Sequence, residues 1–137
     1  MRPTARVPAL IVHGGAGADP GGRDELRSGI RDASAAGWRA LAEGGTALDA
    51  VETAVRRLED HPRFNAGRGS VLTSAGTVET DAAIMEGDRL RNGAVGAVSG
   101  VPNPVTLARR ILDDGRHSFF VRPGALARAR ELGVPLC

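Results

Sequence analysis

Phe64-Asn65-Ala66-Gly67-Arg68-Gly69-Ser70 sets an asparagine ahead of two glycines one residue apart, with a hydroxyl behind them. To its left lies a helical run ending Leu58-Glu59-Asp60-His61-Pro62, and to its right a run with strand chemistry. The stretch therefore reads as a helix-to-strand connection whose backbone makes approaches that side chains would obstruct.

Working leftward, Leu48, Val51, Val55 and Leu58 recur at helical spacing, and Pro62 ends the run. Thr46-Ala47-Leu48-Asp49 has the form of a capping box, a hydroxyl at the cap and an acid three residues on. Gly44-Gly45 closes an earlier helix, from about Asp24 to Glu43, on which Ile30, Ser34, Trp38 and Leu41 set the period. Gly29 and Gly37 inside it each cost about 0.8–1 kcal/mol against alanine, and close packing on a neighbouring layer is the expected return. Two helices joined by a glycine pair predict an antiparallel hairpin. Further left, Val7 to His13 is continuously apolar and predicts a strand buried on both faces. His13-Gly14-Gly15-Ala16-Gly17 is a loop almost without side chains, and the chain stays irregular through Gly22.

Working rightward, Ser70–Thr73 and Thr77–Met85 predict paired strands about the turn Ser74-Ala75-Gly76. Asn92 to Val101, with small and β-branched residues, predicts a central strand pressed on both faces. Asn103-Pro104 is a helix start, asparagine as cap and proline at the first position, and Gly115 is its end. His117–Val121 reads as a short strand and Pro123–Leu132 as a helix stopped by Gly133. Helices set apart from an antiparallel sheet argue an α+β fold, not a βαβ repeat.

Composition narrows the function. The 137 residues suit one domain or part of one, able to bury about 68% of the unfolded surface. With 42% hydrophobic residues but only three Phe, one Trp and no Tyr, the core rests on Ala, Val, Leu and Ile. All 18 basic residues are arginine, set against 16 acids for a net charge of +2. They are scattered rather than striped and lack interleaved aromatics, which argues against a nucleic-acid surface. No run approaches the roughly 18 apolar residues of a membrane span. Val7–Val12 is too short for a signal-peptide core, and the single Cys137 forms no internal disulfide. A soluble cytoplasmic protein is the expectation.

Few residues invite chemistry. His13-Gly14-Gly15-Ala16-Gly17 is neither GxGxxG nor GxxxxGK[ST], and no lysine is present to reach a phosphate. Glu59, Asp60 and His61 are adjacent and cannot converge on one tetrahedral zinc. No nucleophile elbow occurs, because Ser70 lacks the second glycine of GxSxG. Backbone oxygens remain: from Leu58 to Arg68 a glycine-rich turn at a helix C-terminus can aim several carbonyls one way, toward a monovalent or calcium-like cation. Many helix ends hold nothing, so the residues alone leave that open.

Taken in order, His13-Gly14-Gly15-Ala16-Gly17, Gly44 to Glu52, Leu58-Glu59-Asp60, Phe64 to Leu72, Asp81 to Gly87, Gly93 to Val98 and Asn103-Pro104 to Arg109 form a series. This series resembles the N-terminal part of the plant-type L-asparaginases, or isoaspartyl peptidases, which are N-terminal-nucleophile hydrolases. The related lysosomal glycosylasparaginases match Trp38 to Glu52 but usually lack the His-Gly-Gly and Phe-Asn-Ala-Gly motifs. The resemblance implies an αββα four-layer sandwich, of which residues 1–137 would be an incomplete single domain. It implies a precursor that cuts itself before a threonine, whose hydroxyl is the nucleophile and whose α-amine is the base. The implied substrates are small: L-asparagine, giving aspartate and ammonia, or β-aspartyl dipeptides. No catalytic cofactor is implied.

The implied partners are a β subunit beginning with that threonine and a second cleaved protomer, a heterotetramer in all. Asn65 would orient the threonine, and Gly14 and Gly15 would form a glycine loop that adjusts during maturation. Leu58, Glu59, His61, Phe64, Ala66 and Arg68 would offer backbone carbonyls to a structural sodium ion. Thr46, Thr53, Thr73, Thr77, Thr80 and Thr106 do not match the nucleophile motif. This chain alone is therefore expected to be inactive, as part of the enzyme or, alternatively, as a truncated remnant or interaction module of the same fold.

Overall fold

The computed structural model describes residues 7–17 and 21–137. Residues 1–6 and 18–20, the charged N-terminus and the middle of the expected irregular segment, lie outside them. Two long helices come first, α1 (Arg23–Ala42) and α2 (Ala47–Asp60). The capping box is present: the Asp49 N–H donates to Thr46 Oγ1 at 3.2 Å, and the Thr46 N–H donates to Asp49 Oδ2 at 2.9 Å. The Thr46 hydroxyl, which donates to Asp49 Oδ2 at 2.7 Å, and the Thr46 N–H, with Arg109 beyond, hold the Asp49 carboxyl below the usual range. α1 and α2 pack antiparallel, Gly37 meeting Ala50 and Ala54 while Gly29 meets His61 and Phe64.

The buried faces differ from the expected apolar stripes. α1 buries Gly29, Ala33, Ala36 and Gly37, and α2 buries Ala50, Ala54, Leu58 and Glu59. Trp38 is 47% exposed and Val51 lies at the surface. The reason is steric: a Cβ at Gly37 would sit 2.8 Å from the Ala50 carbonyl, an approach open only to small residues. The glycines of α1 do serve close packing, but they rotate the larger side chains off the interface.

After a 3₁₀ turn at Gly67–Gly69 come β1 (Thr80–Glu86), β2 (Arg91–Val98), α3 (Pro104–Asp114), β3 (Phe119–Val121) and α4 (Arg122–Glu131). β1 and β2 are antiparallel, with Ala83 opposite Ala94, and β3 pairs parallel to β2, with Ala94 opposite Phe119. The sheet is thus mixed, in the order β1-β2-β3, and β2-α3-β3 is one βαβ unit rather than a continuation of the expected antiparallel pattern. A connection containing a whole helix is long enough for that crossover. An irregularity between Thr80 and Ala82 coincides with Ala97 at φ 48°, whose N–H the Asp81 carboxylate accepts at 2.7 Å. Through it Val98 rejoins Val95 in the core with Val101, Leu107, Ile111, Ala125 and Ala129.

β2 is central, as expected, yet only one face is pressed by helices. On the other, Phe119 and Val121 lie across Gly96, with Phe119 and Met85 each 59% exposed. The expected strand Ser70–Thr73 is absent, although its turn is made: the Thr73 N–H donates to the Thr77 carbonyl at 2.8 Å. Nor does Val7–His13 form a strand, and Val7 and Ile11 are 87% and 94% exposed. Leu10, Val12 and Gly14 are half-buried between exposed neighbours, so the segment keeps a strand's alternation against the helices. It lacks a backbone partner among the described residues.

A Cβ at Gly93 would lie 2.1 Å from the Ala108 carbonyl and 2.5 Å from the Leu112 nitrogen. Gly93→Ala is expected to destabilise by ~1–3 kcal/mol or more, read as a lowered denaturant midpoint; an unchanged midpoint would refute this packing of α3 on β2. Asp114 joins α3 to α4, its carboxylate 2.9 Å from Arg116 Nη2 and 2.7 Å from Arg128 Nη2. The Arg116 hydrogen bond first, then Arg128, hold its carboxyl at about 2 against an ordinary 3.8. A folded value below the unfolded one favours the folded state above 3.8, and that contribution fades as pH falls through about 2. Asp114→Asn is therefore expected to lower the melting temperature at neutral pH, with the gap closing toward about pH 2; a gap independent of pH contradicts the ion-pair account.

Candidate active site

α2 ends where Pro62 removes a donor, and the chain then folds back on the helix end. The His61 N–H donates to the Leu58 carbonyl, Phe64 N–H to His61, Ala66 N–H to Phe64, and Gly69 N–H to Ala66. Two glycines make this tightness possible. A Cβ at Gly69 would stand 2.1 Å from the Phe64 oxygen, and one at Gly67 would stand 2.6 Å from the Glu59 oxygen. The Phe64 ring is buried with Ala33 and Leu58, and it fills the space that side chains at Gly14 and Gly29 would need. The glycine loop is held to the turn in this way, with Gly15 at φ 104°, a conformation natural to glycine.

The result is a cavity of about 550 Å³ lined by Gly14 and Gly15 on one side and by Phe64, Asn65 and Ala66 on the other. His13 and Arg63 stand at it as well. His13 Nδ1 accepts the Gly15 N–H at 3.2 Å. Arg63 donates to the Gly21 carbonyl and lies 3.4 Å from Glu25, tying the turn to the start of α1. Asn65 Oδ1 accepts the Val71 N–H at 3.0 Å, which fixes the amide's orientation because a backbone N–H can only donate. Among the described residues its Nδ2 donors meet no partner.

The residues expected to offer carbonyls part ways in their side chains. Leu58 and Phe64 are buried, while Ala66 is half-buried. The half-buried His61 ring packs 5.1 Å from Phe64, and its Nδ1 accepts the Arg63 N–H. Arg68 is exposed in the 3₁₀ turn. Glu59, only 3% exposed, turns toward α3. Its Oε1 accepts the Val105 N–H at 2.9 Å and its Oε2 accepts Asn103 Nδ2 at 3.2 Å. Burial pushes its carboxyl up to about 7, against the opposing pull of these donors.

Asn103 was the expected cap of α3, yet its side chain makes no capping bond and reaches Glu59 and Asp60 instead. The cap comes from Glu59, 46 residues earlier. Sequence reading missed it because a carboxylate at a helix end looks solvent-bound; a clue was its place beside Leu58 on the buried face. Five of the six threonines from Thr46 onward have structural partners. Thr46 caps α2, Thr73 and Thr77 share a hydroxyl contact of 2.8 Å, Thr80 donates to the Val98 carbonyl at 3.1 Å, and Thr106 donates to Glu52 Oε1 at 2.9 Å. Among the described residues, no group of three or more His, Cys, Asp or Glu side chains forms a metal site, and no helix is long and apolar enough to cross a membrane.

The sequence profile of the asparaginase family matches residues 6–137. This chain belongs to the asparaginase family. It is 47% identical over 130 residues to the isoaspartyl peptidase/L-asparaginase of Danio rerio, covering 94% of this chain and 42% of that protein. It is 52% identical over 130 residues to the plant-type L-asparaginase of Thermococcus kodakarensis, covering 91% and 41%. The isoaspartyl peptidase/L-asparaginase of Homo sapiens is 47% identical over 131 residues, covering 93% and 42%. The chain thus spans about two fifths of the length of these curated relatives, as the shares of 41% and 42% state.

Gly14→Ala is expected to lower stability, since its Cβ would meet Phe64 Cε1 and Ile30 Cδ1, each at 2.9 Å. In a Phe64→Leu background the added loss is expected to shrink, with a coupling of about 0.5–3 kcal/mol. Additive losses in a double-mutant cycle would separate the ring from the loop.

Proposed function

We propose that this chain is part of an amidohydrolase that converts L-asparagine to aspartate and ammonia, removes isoaspartyl residues from β-aspartyl dipeptides, or does both. The observation that carries the reading is the meeting of Asn65 with Gly14 and Gly15 on one cavity, in a chain of the asparaginase family. The nucleophile in this reading is an N-terminal threonine, released by autoproteolysis and held outside these residues. Its hydroxyl oxygen attacks the side-chain amide carbon, the amine leaves with a proton, and water then cleaves the aspartyl ester. Asn65 has its Oδ1 committed to Val71, so its Nδ2 is the donor that would orient the threonine oxygen. The glycine loop supplies a wall without side chains, where a substrate or the precursor backbone can approach closely.

The complete fold in this proposal is an αββα sandwich, a single domain completed by the threonine-bearing β subunit. Two surfaces support it. The open face of the sheet carries Met85, Phe119 and Val121, and the extended segment 7–13 shows Val7 and Ile11 outward. A second sheet would cover the first and pair the second, satisfying apolar area and backbone together. The heterotetramer of two cleaved protomers and a cytoplasmic location belong to the same reading.

The turn from Leu58 to Arg68 fits a sodium ion. Its donors are neutral carbonyl oxygens, as a weakly held hard cation prefers. Four of them, on Leu58, His61, Phe64 and Ala66, each take one hydrogen bond within the turn and keep a second lone pair. The carbonyls of Glu59 and Arg68 complete the proposed set. When bound, such an ion supplies positive charge that fixes the turn, without entering the reaction.

Intact-mass measurement on the protein expressed from its full gene is expected to give two chains, one beginning at threonine. A single uncut chain with full activity would overturn the nucleophile assignment. In that protein Asn65→Ala and Asn65→Asp are expected to lower turnover or maturation roughly a hundredfold, the usual effect of losing one aligned donor. Asp keeps the acceptor for Val71, so its melting temperature should stay nearer the parent's. Parental turnover and parental maturation in both variants would remove Asn65 from the site.

A further inference from the structure

We propose that Glu59 is the positioning residue of the turn: its carboxylate locks the C-terminal end of α2 to the start of α3, and this lock sets both the cation affinity of the turn and the placement of Asn65. The inference rests on the cation reading above for the first consequence and on geometry alone for the second. Three chain segments meet at Glu59. Its backbone oxygen and Cβ crowd Gly67, where an added Cβ would lie 2.6 and 2.8 Å from them. The Pro102 oxygen would lie 2.9 Å from the same added Cβ. The Glu59 carboxylate meanwhile accepts the Val105 N–H and the Asn103 amide, while Asp60 Oδ1 accepts the same Asn103 nitrogen at 2.9 Å.

The same residue therefore offers a carbonyl to the turn and a carboxylate to the helix behind it. Its side chain is almost wholly buried, so it cannot shift without moving one or the other. The N-terminus of α3 carries partial positive charge and unsatisfied N–H groups, which suit an anionic oxygen there. Gly67, packed closely against Glu59 and Pro102, then fixes the direction in which Ala66 and Asn65 leave the turn. An outer group that orients inner ligands in this manner typically matters roughly tenfold to a hundredfold for affinity.

The test uses the complete protein with Glu59→Ala and Glu59→Gln, each melted over a sodium chloride series against choline chloride at constant ionic strength. Sodium is expected to raise the parental melting temperature. The midpoint sodium concentration should rise roughly tenfold or more in Glu59→Ala and much less in Glu59→Gln, which keeps an acceptor for Val105. A role confined to capping α3 would lower the melting temperature in both salts and leave the sodium midpoint unmoved, overturning the link to the cation. Hydrogen exchange without sodium gives a second reading. Glu59→Ala is expected to speed exchange at residues 66–71 as well as 105–107, relative to α4. Faster exchange at 105–107 alone would overturn the lock on the turn. A parental protein indifferent to sodium would overturn the cation reading and its consequence here, and the exchange pattern would still decide the placement of Asn65.

Discussion

The Phe64 ring is the contact on which the site's assembly depends. It occupies one small volume where its own turn meets two distant segments, the glycine loop at Gly14 and α1 at Gly29. Neither of those has a side chain there, and both pack on the ring, which is buried with Ala33 and Leu58. A loop with so few side chains has little apolar area of its own to bury. Its order is borrowed from the ring, and so the cavity beside Asn65 inherits its shape from a hydrophobic contact rather than from a polar network.

Behind that contact, the helical hairpin and the sheet layer are joined mainly through α3. Arg109 on α3 lies 3.0 Å from Asp49 and 3.6 Å from Glu52 of α2, and also 3.0 Å from Asp113 on its own helix. Glu59 makes the second join, one helical end further along, and it is the buried one. The two differ in kind. The arginine network is partly open to water, where ion pairs contribute little each, whereas the Glu59 carboxylate is enclosed and its donors cannot be replaced by solvent. Most of the directional constraint between the layers therefore falls at the end of α2 that also carries the turn.

Sequence reading served well where the signal is local. The capping box at Thr46, the proline at the start of α3 and the glycine at its end each act within a few residues, and the helices fall within a residue or so of their expected bounds. It failed where the deciding partner is remote. The apolar stripe through Trp38 and Val51 followed the larger side chains, but Gly37 and Ala50 choose the interface because the backbones approach so closely. The parallel pairing of β3 with β2 leaves no mark in five residues of sequence. Asn103 has every local property of a cap and is displaced from that duty by a carboxylate 46 residues away. At the site, resemblance alone implied a role for Asn65 and one for the glycine loop, and the nearness of the two was not legible because nothing in either motif announces the other.

The strand expected at Val7–His13 is the most instructive difference, because its chemistry is present without its hydrogen bonds. Leu10 packs toward Gly37 and Val12 toward Ala33, Leu58 and Phe64, so one face already rests on the hairpin. An apolar run of this kind, with the opposite face and the backbone both unpaired, is a costly state for an isolated chain and an economical one beside a second sheet. The same holds for the uncovered side of β2 and β3. Only the first of these surfaces borders the cavity, Gly14 following directly on the segment 7–13. Pairing residues 7–13 in the proposed second sheet would do more than bury apolar area: it would fix the backbone that enters the glycine loop at Gly14, the point where Phe64 already meets it. Stability and site geometry would then draw on the same contact.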